Sequence, residues 1–359
     1  MPRGVKKIEV IEPESFFHKY LFFFVVLFIL FFVLIFFLIF SLSLGEVEEV
    51  VVKSKCGDGS FYNTCSLDEP YYCENGFLFE RASFCGCPER LNKEGDSCFS
   101  NYYKEPRTID LKYILRGEEG IVDFVVYEGL TEFLSKQPRD LFYLGDEEPL
   151  RRDFKLKDIN QEEQRLAFMD LVKKIQDKSL IKDDQARIAI SLVQNIEFGA
   201  SDRKIKFAGG EVDYSRYPYE VLSEGKGICG EKSTLLALLL RELGYGVVLF
   251  YHEKENHESL GIKCSLEESY KGTGYCFVET TGPAIISDSQ IAYVGGIWLN
   301  SIPQIMIISD GISFGENNFY EVDDANTLQK IRTGDWVLFG GSKFGELKEK
   351  YGLVEGYNA

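Results

Sequence analysis

The sequence predicts an α+β domain preceded by one transmembrane helix and a small disulfide-rich module. Three observations carry this: an unbroken apolar run near the N-terminus, six cysteines crowded into residues 56–98, and a long remainder in which helical periodicity gives way to strand alternation.

The run 20–40 contains 21 residues with no charge and no helix breaker, and ~20 apolar residues suffice to cross a bilayer as a helix. It outlasts the roughly 7 to 15 apolar residues of a cleavable signal and continues into Ser41-Leu42-Ser43-Leu44-Gly45. An uncleaved anchor over residues 20–44 is therefore expected. Arg3, Lys6, Lys7 and Lys19 stand ahead of it, whereas behind it Glu46, Glu48 and Glu49 outnumber Lys53 and Lys55. Basic flanks are retained in the cytoplasm, so residues 1–19 are expected there and the bulk of the chain on the extracytoplasmic side, after a short stalk over 46–55.

The 314 residues after Gly45 are enough for one large domain or two smaller ones. The chain carries −17, and four basic against three acidic residues in 1–19 leave −18 on the rest. A nucleic-acid partner needs clustered Lys and Arg to displace counterions from phosphate, so this acidity argues against one and serves solubility.

The crowded cysteines are Cys56, Cys65, Cys73, Cys85, Cys87 and Cys98. Zinc sites favour C-x2-C pairs or histidines, whereas the closest pair here is Cys85-Gly86-Cys87, so disulfides are expected and no metal. Six cysteines allow 15 pairings, fewer once Cys85 with Cys87 is set aside as too close for relaxed geometry. The module is too small to build much core alone. Disulfides call for an oxidising compartment, which agrees with the expected topology.

Beyond the module, residues 108–127 alternate as strands, clearest at Ile121-Val122-Asp123-Phe124-Val125-Val126-Tyr127. Helical periodicity covers 160–176 and 183–196, the second opened by Asp183-Asp184, whose carboxylates can cap free amides. The clearest helix runs from Cys229 through Leu235, Leu236, Leu239 and Leu243 to Gly244, a residue suited to a left-handed stop. It is apolar on most sides and should be buried. Strands are expected at 247–251, 258–263, 275–279 and 304–308. No phosphate loop, flavin or nicotinamide fingerprint occurs, since Gly295-Gly296 and Gly340-Gly341 lack the following helix and spacing, and no cofactor is implied.

One constellation suits chemistry. In Gly225-Lys226-Gly227-Ile228-Cys229-Gly230-Glu231 a glycine-rich turn delivers a thiol to the first turn of the buried helix. Free amides and the helix dipole there favour the nucleophilic thiolate. A thiol catalyst needs a base, and only His252 and His257 follow the anchor. His257 opens one strand and Glu279 closes the next, so a hairpin can set a carboxylate beside the imidazole to orient it. If these two share a face, Cys264 and Cys276 share the opposite one. His257 directly opposite Glu279 and Cys264 directly opposite Cys276 require different registers, so a regular hairpin leaves Cys264 and Cys276 open between core thiols and a disulfide. Gln194 is a further candidate, as an oxyanion donor.

Three ordered segments resemble the transglutaminase-like domain of the papain-like cysteine enzyme fold. They are Pro218-Tyr219-Glu220-Val221-Leu222 leading to Cys229 and its helix, His257-Glu258-Ser259-Leu260-Gly261-Ile262, and Phe277-Val278-Glu279-Thr280-Thr281-Gly282-Pro283. The resemblance covers 183–283 within a domain expected over 108–359. It implies a Cys-bearing helix packed on an antiparallel sheet, with Cys229 as nucleophile, His257 as base and Glu279 as orienting acid. Two features depart from the family: its acid is usually Asp before Pro-Thr, and cross-linking members often carry Trp where Gly230 stands. The implied function is a membrane-anchored thiol enzyme acting on amide bonds of a protein or peptide substrate. The alternative is an inactive binding or scaffolding module on the same fold.

Overall fold

The computed structural model describes residues 16–43, 55–88, 91–99, 102–143, 146–207, 210–290, 292–293, 297–316, 318–334 and 340–354. The chain is mixed α+β and divides into two units, Met1–Val52 and Lys53–Ala359. The first contains the helix Phe16–Ser43, whose segment Tyr20–Leu38 has a hydropathy of 3.5 and is 0% buried. It is long and apolar enough to cross a membrane, and a helix satisfies its backbone polar groups internally, as hydrocarbon demands. Arg3, Lys6, Lys7 and residues 46–54 of the expected stalk lie outside the described residues.

The second unit is organised by a four-stranded antiparallel sheet in the order Tyr275–Val278, His257–Lys263, Val247–His252, Gln304–Ser309. The helix Cys229–Glu242, here called the thiol helix, lays its leucines against Val247, Leu249, Leu260, Ile262 and Val278 in one buried cluster. Each such leucine removed from water contributes roughly 1.5–3 kcal/mol. Gly244 ends the helix at φ +94°, and the Tyr245 N–H returns to the Leu240 carbonyl at 3.0 Å. The positive φ is the reason glycine stands there. Helices Glu162–Lys178, Lys182–Gln194 and Pro218–Glu224 close the same core, together with the hairpin Pro106–Leu115 and Glu118–Tyr127.

The sheet register resolves the question the hairpin left open. Leu260 pairs with Val278 and Ile262 with Cys276. That register lies midway between the two that direct opposition would require, so both couples are diagonal neighbours. Cys264 and Cys276 form a disulfide and belong to the cluster beneath the thiol helix.

In the cysteine module the bonds are Cys56–Cys73, Cys65–Cys85 and Cys87–Cys98. Its small core of Cys56, Tyr71, Cys73 and Leu78 is completed by Met169 of the helix Glu162–Lys178, and the Tyr71 hydroxyl donates to the Leu166 carbonyl at 3.0 Å. The module therefore borrows part of its interior from the larger body.

Several expectations need correction. Asp183 and Asp184 do not cap their helix, which begins at Lys182. Asp183 instead accepts from the Tyr245 hydroxyl at 3.0 Å, and Asp184 pairs with Arg187 at 3.1 Å. The Tyr245 hydroxyl and the guanidinium groups of Arg116 and Arg187 outcompeted the local amides. Gly340-Gly341, read as lacking a helix, open the helix Gly340–Tyr351; Gly295-Gly296 lie outside the described residues. Helices Glu128–Ser135, Arg151–Ile159 and Tyr320–Thr333 were not anticipated. The last two carry many charges, which blur apolar periodicity.

Candidate active site

Gly225 adopts φ +65° to end the helix Pro218–Glu224, and four residues later Cys229 opens the thiol helix. Glu231 fixes that entry: it accepts the Ile228 N–H at 3.0 Å and is neutralised by Arg216, whose side chain reaches it at 2.9 Å and whose N–H reaches it at 2.8 Å. The negative charge in the first turn is thus already paired. Cys229 is the free cysteine among the described residues and is half-buried.

His257 begins its strand fully buried, and its Nε2 lies 2.8 Å from Glu279 Oε2. The Cys229 side chain lies near enough to the same imidazole to favour its protonated form. With Nε2 committed to the acid, the Nδ1 side is the one that can meet sulfur. Burial alone disfavours the imidazolium, but the Glu279 charge, the nearby Cys229 side chain and the Glu279 hydrogen bond outweigh it and raise His257 to about 9.

Glu279 has its other oxygen filled. Oε1 accepts the Thr280 N–H at 2.9 Å, the Thr281 N–H at 2.9 Å and the Thr281 hydroxyl at 2.8 Å. The longer side chain is accommodated by curling back onto its own turn, which explains how Glu rather than Asp meets the ring. Burial pushes its pKa up, yet His257 and the Thr281 donors prevail and hold it below the usual range. This carboxylate is held ionised.

Gln194 does not supply an oxyanion donor. Its amide donates to the Glu279 carbonyl at 2.9 Å and the Ala284 carbonyl at 3.1 Å, so both hydrogens are spent bracing the acid turn.

Beside Gly230 lies a cluster that sequence reading missed. Glu258, buried next to His257, takes Lys155 at 2.6 Å and Arg151 at 3.1 Å. Lys155 also donates to the Gly230 carbonyl at 3.1 Å, and Arg151 lies 3.8 Å over the Tyr251 ring. A Cβ on Gly230 would meet Lys155 Nζ at 3.2 Å. The space beside residue 230 is filled by an ion pair. Lys232 and Ser233 were also missed: Ser233 Oγ donates to the Glu258 carbonyl at 3.1 Å and lies 2.9 Å from Thr280 Oγ1, linking the histidine strand to the acid turn. The available signal was their polarity in the first turns of a buried helix whose middle is a run of leucines.

Cavities of about 310 Å³ and 390 Å³ lie against the cysteine module and behind the Gly225 turn, and neither is lined by Cys229, His257 or Glu279. Comparison with models of known families, with curated proteins and with solved structures found no match.

Proposed function

We propose that this protein is a membrane-anchored, extracytoplasmic thiol enzyme of the transglutaminase-like, papain-like kind, acting on amide bonds of proteins or peptides. The observation that carries the reading is one buried imidazole hydrogen-bonded to a carboxylate that the protein holds ionised, with a free thiol at a helix N-terminus close enough to favour its charge. Such an arrangement serves nucleophilic acyl transfer.

Cys229 Sγ, as thiolate, attacks the amide carbon, and the C–N bond breaks as the nitrogen takes the proton from the His257 imidazolium. A thioester and a free amine result. His257, now neutral, accepts a proton from water or an acceptor amine as that nucleophile attacks the thioester, and the thiolate and imidazolium are restored. The Cys229 N–H, first in its helix, has no intrahelical acceptor and is suited to the developing oxyanion. Glu279 keeps its charge and orients His257 throughout.

Four disulfides suit an oxidising compartment, and the apolar N-terminal helix suits an anchor with the N-terminus inside. The test is labelling at neutral pH with an uncharged thiol-directed electrophile. Wild-type protein is expected to label at Cys229 with an onset well below the ~8.5 of an ordinary thiol, and Cys229→Ala to lose the label. An onset centred on the ordinary value in folded protein points to an inactive scaffold instead.

A further inference from the structure

Lys232 stands one turn after Cys229 on the thiol helix and has no solvent exposure. Its ammonium donates to three backbone carbonyls: Ile196 at 2.6 Å, Thr281 at 3.2 Å and Gln194 at 3.3 Å. All three are uncharged. A buried cation held by carbonyls alone is costly, and burial lowers Lys232 to about 7, with the Glu279 charge opposing the fall. The other acids around it are otherwise engaged: Glu231 of its own helix with Arg216, and Glu258 of the neighbouring strand with Lys155 and Arg151. Cys229 and His257 are the remaining titratable groups of the cluster. Glu279 is thus the acid whose charge acts on Lys232.

The reaction explains what that cation does. Thiolate and imidazolium appear and vanish together, so they neutralise one another at every stage, whereas Glu279 stays charged. When the imidazolium gives up its proton, Glu279 keeps the Thr281 donors but loses its nearest positive charge, so a cation close by helps it stay ionised. Position matters as well as charge, because Thr281, whose carbonyl Lys232 holds, is the residue whose N–H and hydroxyl hold Glu279.

We propose that Lys232 is a positioning residue for the acid: its ammonium pins the turn that carries Glu279 and, while protonated, sets a positive charge close to this carboxylate. Its meaning rests on the thiol-enzyme reading above, but its measurement does not. Two experiments test it on the full chain. The first follows iodoacetamide alkylation of Cys229 against pH in wild type, Lys232→Met and Lys232→Arg. Removing a positive charge raises neighbouring pKa values, and a loosened acid weakens the imidazolium, so the onset in Lys232→Met is expected to move up by about one pH unit. Lys232→Arg, which keeps the charge, is expected to return toward wild type. A merely structural lysine would lower the melting temperature and leave the onset in place.

The second experiment reads the Lys232 Nζ titration by nitrogen NMR in wild type and in the nearly isosteric Glu279→Gln, and stands even where Lys232→Met does not fold. Coupling is reciprocal, so the Lys232 midpoint should fall by about one unit when the carboxylate is neutralised. A folded Lys232→Met with the wild-type onset, or a Lys232 midpoint unmoved by Glu279→Gln, overturns the proposal. An ordinary wild-type onset accompanied by a shifted Lys232 midpoint sinks the enzyme reading and leaves the coupling intact.

Discussion

His252 and His257 are paired in register at one end of the same hairpin, both without solvent exposure, yet they titrate in opposite directions. His257 touches its carboxylate directly at 2.8 Å and rises to about 9. His252 falls to about 4: burial dominates, and the nearby Glu255 offsets only part of it. Glu255 accepts the Asn300 N–H at 3.0 Å, the Ser301 N–H at 2.9 Å and the Ser301 hydroxyl, which itself lies 3.3 Å from His252 Nδ1. A carboxylate sustains a buried imidazolium when it gives a lone pair to the ring, and does less when its oxygens are taken by backbone amides and a hydroxyl. The charged His257 further disfavours a second cation next to it.

The contrast is broken most severely at His257. His257→Ala is expected to slow Cys229 alkylation at pH 7 by roughly 100-fold, whereas His252→Gln should leave that rate near wild type. A comparable loss in both variants would mean that the two rings act as one unit. Next in size is Glu279→Gln, which should bring the His257 midpoint down from about 9 by one to two units, read from imidazole NMR shifts. A midpoint that stays put would assign the rise to something other than the acid.

Stability against pH sharpens the contrast further. Between 6.5 and about 9 folded His257 keeps a proton that the unfolded chain has lost, so stability falls as pH rises across that window. Between 6.5 and about 4 folded His252 refuses a proton that the unfolded chain takes, so stability falls as pH drops. The two place the best pH for these rings near 6.5. His252→Gln should flatten the acid side of a melting-temperature profile and spare the alkaline side; an unchanged acid side would exclude His252 as its source. The smallest effect on the pair comes from the far end of the hairpin. Replacing Cys264 and Cys276 by Ser should cost about 2–3 kcal/mol in chemical denaturation while both histidine midpoints hold.

How much of this was legible beforehand depended on whether a residue marks its own neighbourhood. Glycines before Cys229, alternation after His257 and the strand that closes at Glu279 are local signs, and the last two led to side chains that meet at 2.8 Å. Lys232 leaves no such sign, because its partners are carbonyls from residues 194, 196 and 281. The amide of Gln194 looked available only because its acceptors, Glu279 and Ala284, are 85 and 90 residues away. The disulfide Cys264–Cys276 stayed open because alternation fixes a face but not a register, and the observed register satisfies both diagonal couples.

The interior that the cysteine module borrows has a consequence for biogenesis. Met169 is made long after Cys98, so the module's core is incomplete until the helix Glu162–Lys178 has been added. The module's bonds join residues 17, 20 and 11 apart, separations whose closure entropies differ little. Chain proximity alone therefore discriminates weakly between partners, and the contacts with Met169 and Leu166 are what favour the observed pairing over the others once the module packs on that helix.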